Sequence, residues 1–133
     1  QSQRLLLTWL SEEPEVYQKI SGIIEPEDFT EPLYRKAAEI LFAQLEGGDV
    51  NPGQILNRFI NDEEEYREAA KVFHTKLKRL ETKEERNRAF QETVLRVKKN
   101  SLDAASRTVT DIREFQKLIA AQAALQELHI SLD

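Results

Sequence analysis

Between Thr82 and about Arg107 the chain holds neither glycine nor proline, and the stretch opens on Thr82–Lys83–Glu84–Glu85. In such a capping box the threonine accepts a hydrogen bond from the backbone amide three residues on, while the glutamate reaches back to the threonine's own amide. A helix started there meets no breaker for ~36 Å at ~1.5 Å per residue. That is longer than a compact bundle of the short preceding segments needs, so this helix is expected to project. No part of the chain alternates polar and apolar residues convincingly enough to read as a half-buried strand, which leaves helices for the rest.

Five helices are expected before it. The first covers about Gln1 to Leu10, with Leu5, Leu6, Trp9 and Leu10 as its buried side. The second starts at Pro14 and stops before Gly22, a residue suited to a left-handed C-cap. After the turn Glu25–Pro26–Glu27–Asp28, a third is opened by Thr30 and Pro32 and closed by Gly47–Gly48, with Leu33, Ala37, Ile40, Leu41 and Leu45 on one face. Asn51–Pro52 caps a fourth that carries Ile55, Leu56 and Phe59. Asn61 or Asp62 opens the fifth, whose stripe is Tyr66, Ala69, Ala70, Phe73, Leu77 and Leu80. The acidic block Asp62–Glu65 lies at its start and the basic run from Lys71 to Arg88 begins toward its end, as the helix dipole favours. That arrangement accounts for the charge asymmetry without a partner.

Composition narrows the classes. With 133 residues there is room for one domain plus an appendage, and the 40% hydrophobic and 32% charged content fits a soluble, helix-rich protein. The net charge of −5 gives no general attraction for phosphate backbones, so nucleic-acid contact is not expected. The chain has no cysteine, which removes disulfides, thiolate zinc sites and cysteine nucleophiles. Its longest apolar runs, Leu5–Leu7 and Ile40–Ala43, fall far short of the ~20 residues that span a bilayer, and no signal peptide opens it. A cytoplasmic setting with no membrane contact is the expectation. A start at Gln1 and the lack of methionine point to a fragment of a longer polypeptide.

After a turn at Arg107–Thr110, Asp111 with Glu114 three residues later opens a last helix, expected to run to about Ile130. The chain would then end in an antiparallel helical hairpin. Ile112, Phe115, Ile119, Ala123 and Ile130 form the side expected to meet the long helix. Leu118, Ala121, Leu125 and Leu128 lie on an adjoining side, so the apolar arc exceeds the ~100° that one packing surface requires. The long helix offers Phe90, Val94, Val97, Ser101 and Ala104 as one seam, with Leu95 and Leu102 on another face. Two helices alone bury too little: a buried Leu or Phe side chain contributes ~1.5–3 kcal/mol, against ~1–2 kcal/mol of backbone entropy for each ordered residue. The surplus must meet either the bundle or another protein, and periodicity leaves both open.

Several residues invite a chemical reading. Neither His74 nor His129 has a second histidine, or a carboxylate, at a metal-binding spacing that lifts it above chance, so no metal site is expected. Glu63, Glu64 and Glu65 point in different directions around a helix axis, which suits a helix start better than acid–base work. Gly47–Gly48 lacks the lysine and spacing of a phosphate loop. Trp9 is expected in the core, while Tyr34 is open. Lys98, Lys99 and Arg107 could touch DNA or simply be solvated. No catalytic residue is expected.

The segment from Leu5 to Leu45, with PEDF at Pro26–Phe29 and LYRKAAEILF at Leu33–Phe42, then Gly47–Gly48 and Val50–Asn51–Pro52, resembles the start of the C-terminal domain of bacterial DNA primase. QETVLRVKKNSLD at Gln91–Asp103 and FQKLIAAQAALQELHISLD at Phe115–Asp133 are similar to its end. The first part is also similar to the N-terminal domain of the replicative helicase, an oligomer-forming unit; the terminal hairpin favours the primase. The resemblance implies an all-α, multi-helix bundle over residues 1–81 that modulates the helicase, and after it a long helix and helical hairpin over 82–133 that docks onto it. It places the helicase-binding role on the last helix and tail: Leu118, Ile119, Gln122, Leu125, Gln126, Leu128, His129, Ile130 and Leu132. The fragment itself would be non-catalytic, cofactor-free and monomeric alone. It would bind the helicase N-terminal domains at the replication fork, and zinc and magnesium would belong to the parent primase, a nucleotidyltransferase.

Overall fold

Helix α1 (Ser2–Glu12) is the axis around which the rest is arranged, and its sequence shows why. Leu6, Leu7, Trp9 and Leu10 are all buried, more of the helix circumference than a single stripe, because α1 packs against three other helices. Leu5, expected inside, is 41% exposed, and Leu7 takes its place in the core. The computed structural model describes residues 2–77, 82–130 and 132; Gln1 and Leu80 of the helix readings, and Lys78 and Arg79 within the basic run from Lys71 to Arg88, lie outside the described residues. Among the described residues the fold is all-α, with seven α-helices, two 3-10 turns and no strand.

A 3-10 turn (Pro14–Val16) runs into the short α2 (Tyr17–Ile20), so the expected second helix is split by its tighter first turn. Gly22 comes next with φ 85°, in the left-handed region that a side chain would disfavour. A second 3-10 turn (Pro26–Asp28) is closed by the Asp28 carboxylate, which accepts from the Glu25 amide at 2.8 Å. Helix α3 (Pro32–Gly47) ends at Gly48, whose φ of 82° makes it the left-handed cap. Its N-terminus is tied to α1 by Gln3, which donates to Thr30 Oγ1 at 2.8 Å and accepts from the Glu31 amide at 3.2 Å. Gln3 is buried, so these bonds replace the water it loses.

Helix α4 (Pro52–Asn57) is capped by Asn51, and α5 (Glu63–His74) by Asp62, whose carboxylate accepts from the Glu64 and Glu65 amides at 3.0 and 3.1 Å. The fifth helix ends at His74, short of Leu77, the last described residue of the expected stripe. Its buried face is also turned: Ala69 and Val72 are in the core, while Tyr66 is exposed. The Thr8 hydroxyl of α1 donates to the Val72 carbonyl at 2.7 Å inside the protein, a bond that holds this side of α5 against α1.

Helix α6 (Lys83–Thr108), capped by Thr82, is 26 residues and ~39 Å long. Phe90, Val94 and Val97 enter the same core as α1 and α3, with Phe90 edge-on to Trp9 at 5.0 Å between ring centroids. Glu13 accepts from Trp9 Nε1 at 2.8 Å and pairs with the Arg86 guanidinium. Farther along, Asp28 accepts from Lys98 Nζ at 3.1 Å and Ser101 Oγ at 2.7 Å. The bundle therefore holds α6 as far as Ser101, and Lys98 is engaged by a carboxylate rather than offered to solvent. Among the described residues, no helix is long and apolar enough to cross a membrane.

Candidate docking surface

Helix α7 (Ile112–Leu125) starts where the sequence places it: the Asp111 carboxylate accepts from the Arg113 amide at 2.8 Å. It has no buried residue along its length. Leu118, Ala121, Gln122 and Leu125 are half-buried. Gln122 Nε2 donates to Asp103 Oδ1 at 3.2 Å, and Gln122, Leu125 and Gln126 line a groove of about 410 Å³ with Leu95, Lys99 and Asp103 of α6.

The two apolar sides of α7 have therefore exchanged the roles expected of them. Ile112, Phe115 and Ile119, expected against α6, are 72%, 46% and 50% exposed. Leu118, Ala121 and Leu125, expected to be surplus, are the partly covered set. The cause lies in α6: its Phe90–Val94–Val97 seam is already taken by α1, and what remains for α7 is the Leu95 and Leu102 side.

The outer stripe carries no charge. At ~100° per residue, Ile112, Phe115, Gln116, Ile119, Ala120 and Ala123 fall on one arc, while Arg113 and Lys117 lie beside it and Glu114 on the side toward α6. In a chain that is 32% charged, three turns of exposed, uncharged, largely apolar helix stand apart from the rest of the surface. Large exposed apolar side chains elsewhere among the described residues are Leu5, Ile60 and Tyr66, on α1, after α4 and on α5. They do not make a comparable stripe.

The helix stops at Leu125, one turn short of the expected Ile130, and the chain turns through Gln126 and Glu127 into an extended tail. There Leu128 and Leu132 are partly buried against the core, His129 is exposed, and Ile130 lies inside the core at 4% exposure. Of the nine residues singled out by resemblance, Ile119, Gln126 and His129 are thus open to a partner. Leu118, Gln122 and Leu125 face α6, and Leu128, Ile130 and Leu132 anchor the tail. Ile112 and Phe115 are not among the nine, although their exposure makes them central to the surface. The tail had a signal in the sequence: Leu128, Ile130 and Leu132 recur at a period of two, which belongs to an extended segment and not to a helix.

No protein-family model, no curated protein and no solved structure matches this chain.

Proposed function

We propose that this chain is a protein-docking domain, the C-terminal domain of a bacterial DNA primase, which binds the N-terminal domains of the replicative helicase through α7. In this reading it is non-catalytic, monomeric alone, and brings primer synthesis to the replication fork, while the bundle subdomain of residues 1–81 stimulates the helicase. The observation that carries the docking role is the uncharged outer stripe Ile112–Phe115–Ile119, three large apolar side chains exposed together on one helix, whereas Leu5, Ile60 and Tyr66 are exposed on three separate parts of the bundle. The primase identity draws on the likeness of Leu5–Leu45, Gln91–Asp103 and Phe115–Asp133.

The stripe also defines the partner's chemistry. It spans about three turns and has alanines at 120 and 123, which let another helix approach closely. Because it holds no charge, binding should change little with salt, whereas a phosphate-binding surface would lose affinity steeply. Phe115→Asp is expected to abolish capture by a matched replicative helicase while the circular dichroism of the free protein is retained. Normal binding by that variant contradicts the proposal. The same stripe would serve self-association if the chain were a helicase N-terminal domain; sedimentation separates the two, with a monomer expected here and an oligomer there.

A further inference from the structure

Among the described residues from 109 to 132, Ile130 is the only one buried. α7 itself touches α6 only through half-buried side chains and the Gln122–Asp103 bond, and the tail beyond its C-terminal end adds the one buried anchor. Gln91 of α6 turns its side-chain amide onto the backbone of the tail: Nε2 donates to the Leu128 carbonyl at 3.2 Å and Oε1 accepts from the Ile130 amide at 2.9 Å. One turn earlier on α6, Asn87 Oδ1 accepts from the Leu132 amide at 3.0 Å. In an extended chain the carbonyl of one residue and the amide two residues on share an edge, so a single carboxamide can satisfy both. The side chains show the same alternation, with Leu128, Ile130 and Leu132 inward and His129 outward.

We infer that residues 128–130 and 132 form a detachable strap that holds α7 on α6, and that α7 leaves α6 as one unit with the strap while the bundle stays folded. Without the strap, α7 keeps the Gln122–Asp103 hydrogen bond and the half-buried contacts of Leu118, Ala121 and Leu125. Among the described residues, Ile130 is the one member of the core cluster supplied from beyond α6, so the bundle keeps the rest of that cluster, while Leu102, outside it on the side toward α7, is uncovered. Release brings Leu118, Ala121 and Leu125 into water beside Ile112, Phe115 and Ile119. The strap thereby sets whether α7 shows one apolar face or two, whatever its partner is.

Native-state hydrogen exchange on the full chain tests this. The amides of Ile130 and Leu132 and those of the α7 interior should share one protection factor, on the order of tenfold or more below that of the most protected α1 and α3 amides. Gln91→Leu, which removes both carboxamide bonds, should lower protection in the strap and in α7 by the same factor. Ile130→Val leaves Gln91 intact and should produce the same paired change, smaller in size. The inference is overturned if α7 opens while the strap stays protected, if either variant shifts the strap alone, or if both segments are as protected as α1 and α3.

Discussion

Helices α1 and α7 are of similar length and both rich in apolar residues, leucine and tryptophan in α1 and isoleucine, leucine and alanine in α7, yet α1 has six buried residues and α7 has none. The difference lies in their surroundings. α1 is enclosed by α3, α5 and α6, and even its polar Gln3 and Thr8 are hydrogen-bonded inside. α7 meets α6 on a side already reduced by the bundle, and keeps a second apolar side that none of the described residues covers. Leu5, Ile60 and Tyr66 are exposed singly, which is ordinary for a protein surface, whereas an apolar stripe of three turns is the kind of surface on which the proposed docking rests.

The largest effect should come from the sealed side of this contrast. Phe90→Ala removes a fully buried ring that packs on Trp9, and should cost ~3–5 kcal/mol in chemical denaturation. The matching change on the open side, Phe115→Ala, should alter stability by less than ~1 kcal/mol and lower partner affinity by ~10- to 100-fold, since a central interface aromatic is typically worth ~2 kcal/mol or more. If Phe115→Ala unfolded the protein as Phe90→Ala does, the two helices would not differ in the way described.

An intermediate effect is expected where the bundle grips α6. Asp28→Ala leaves Lys98 and Ser101 without their acceptor and should lower stability by ~1–3 kcal/mol, read as a shift in the denaturation midpoint, with helicity kept. The smallest effect concerns alkaline pH. Burial, and then the hydrogen bond and negative charge of Glu46, hold the Tyr17 phenol above its ordinary pKa, and burial does the same for Tyr34. Protonated phenols are favoured by the folded state, so their contribution is whole below about pH 10 and is lost as pH rises through the raised folded values. Tyr17→Phe and Tyr34→Phe together should flatten the alkaline limb of a stability–pH profile while leaving neutral pH nearly unchanged.

Local chemistry is legible in the sequence and competition between surfaces is not. Asn51, Asp62, Thr82 and Asp111 each cap the helix they are expected to open, because a cap depends on its own side chain and the next three amides. The rotation of α5 toward Val72 and the exchanged faces of α7 depend on which partner reaches a surface first, and a helix with two apolar faces does not say which will be covered. Asp28 reads in the sequence as one acid in a turn; its bonds to Lys98 and Ser101 join positions about seventy residues apart and leave no periodic trace. The alternation of the tail marks it as extended, but the same apolar positions also suit a helix continued as far as Ile130.

Since the chain has no cysteine, an Ile119→Cys variant gives one thiol on the outer side of α7. Its labelling rate with and without a matched replicative helicase, beside a Glu63→Cys control on exposed α5, tests docking through α7 most directly. Docking there predicts that saturating helicase slows labelling at residue 119 and leaves residue 63 unaffected. Unchanged labelling at 119 in a complex that demonstrably forms would contradict it.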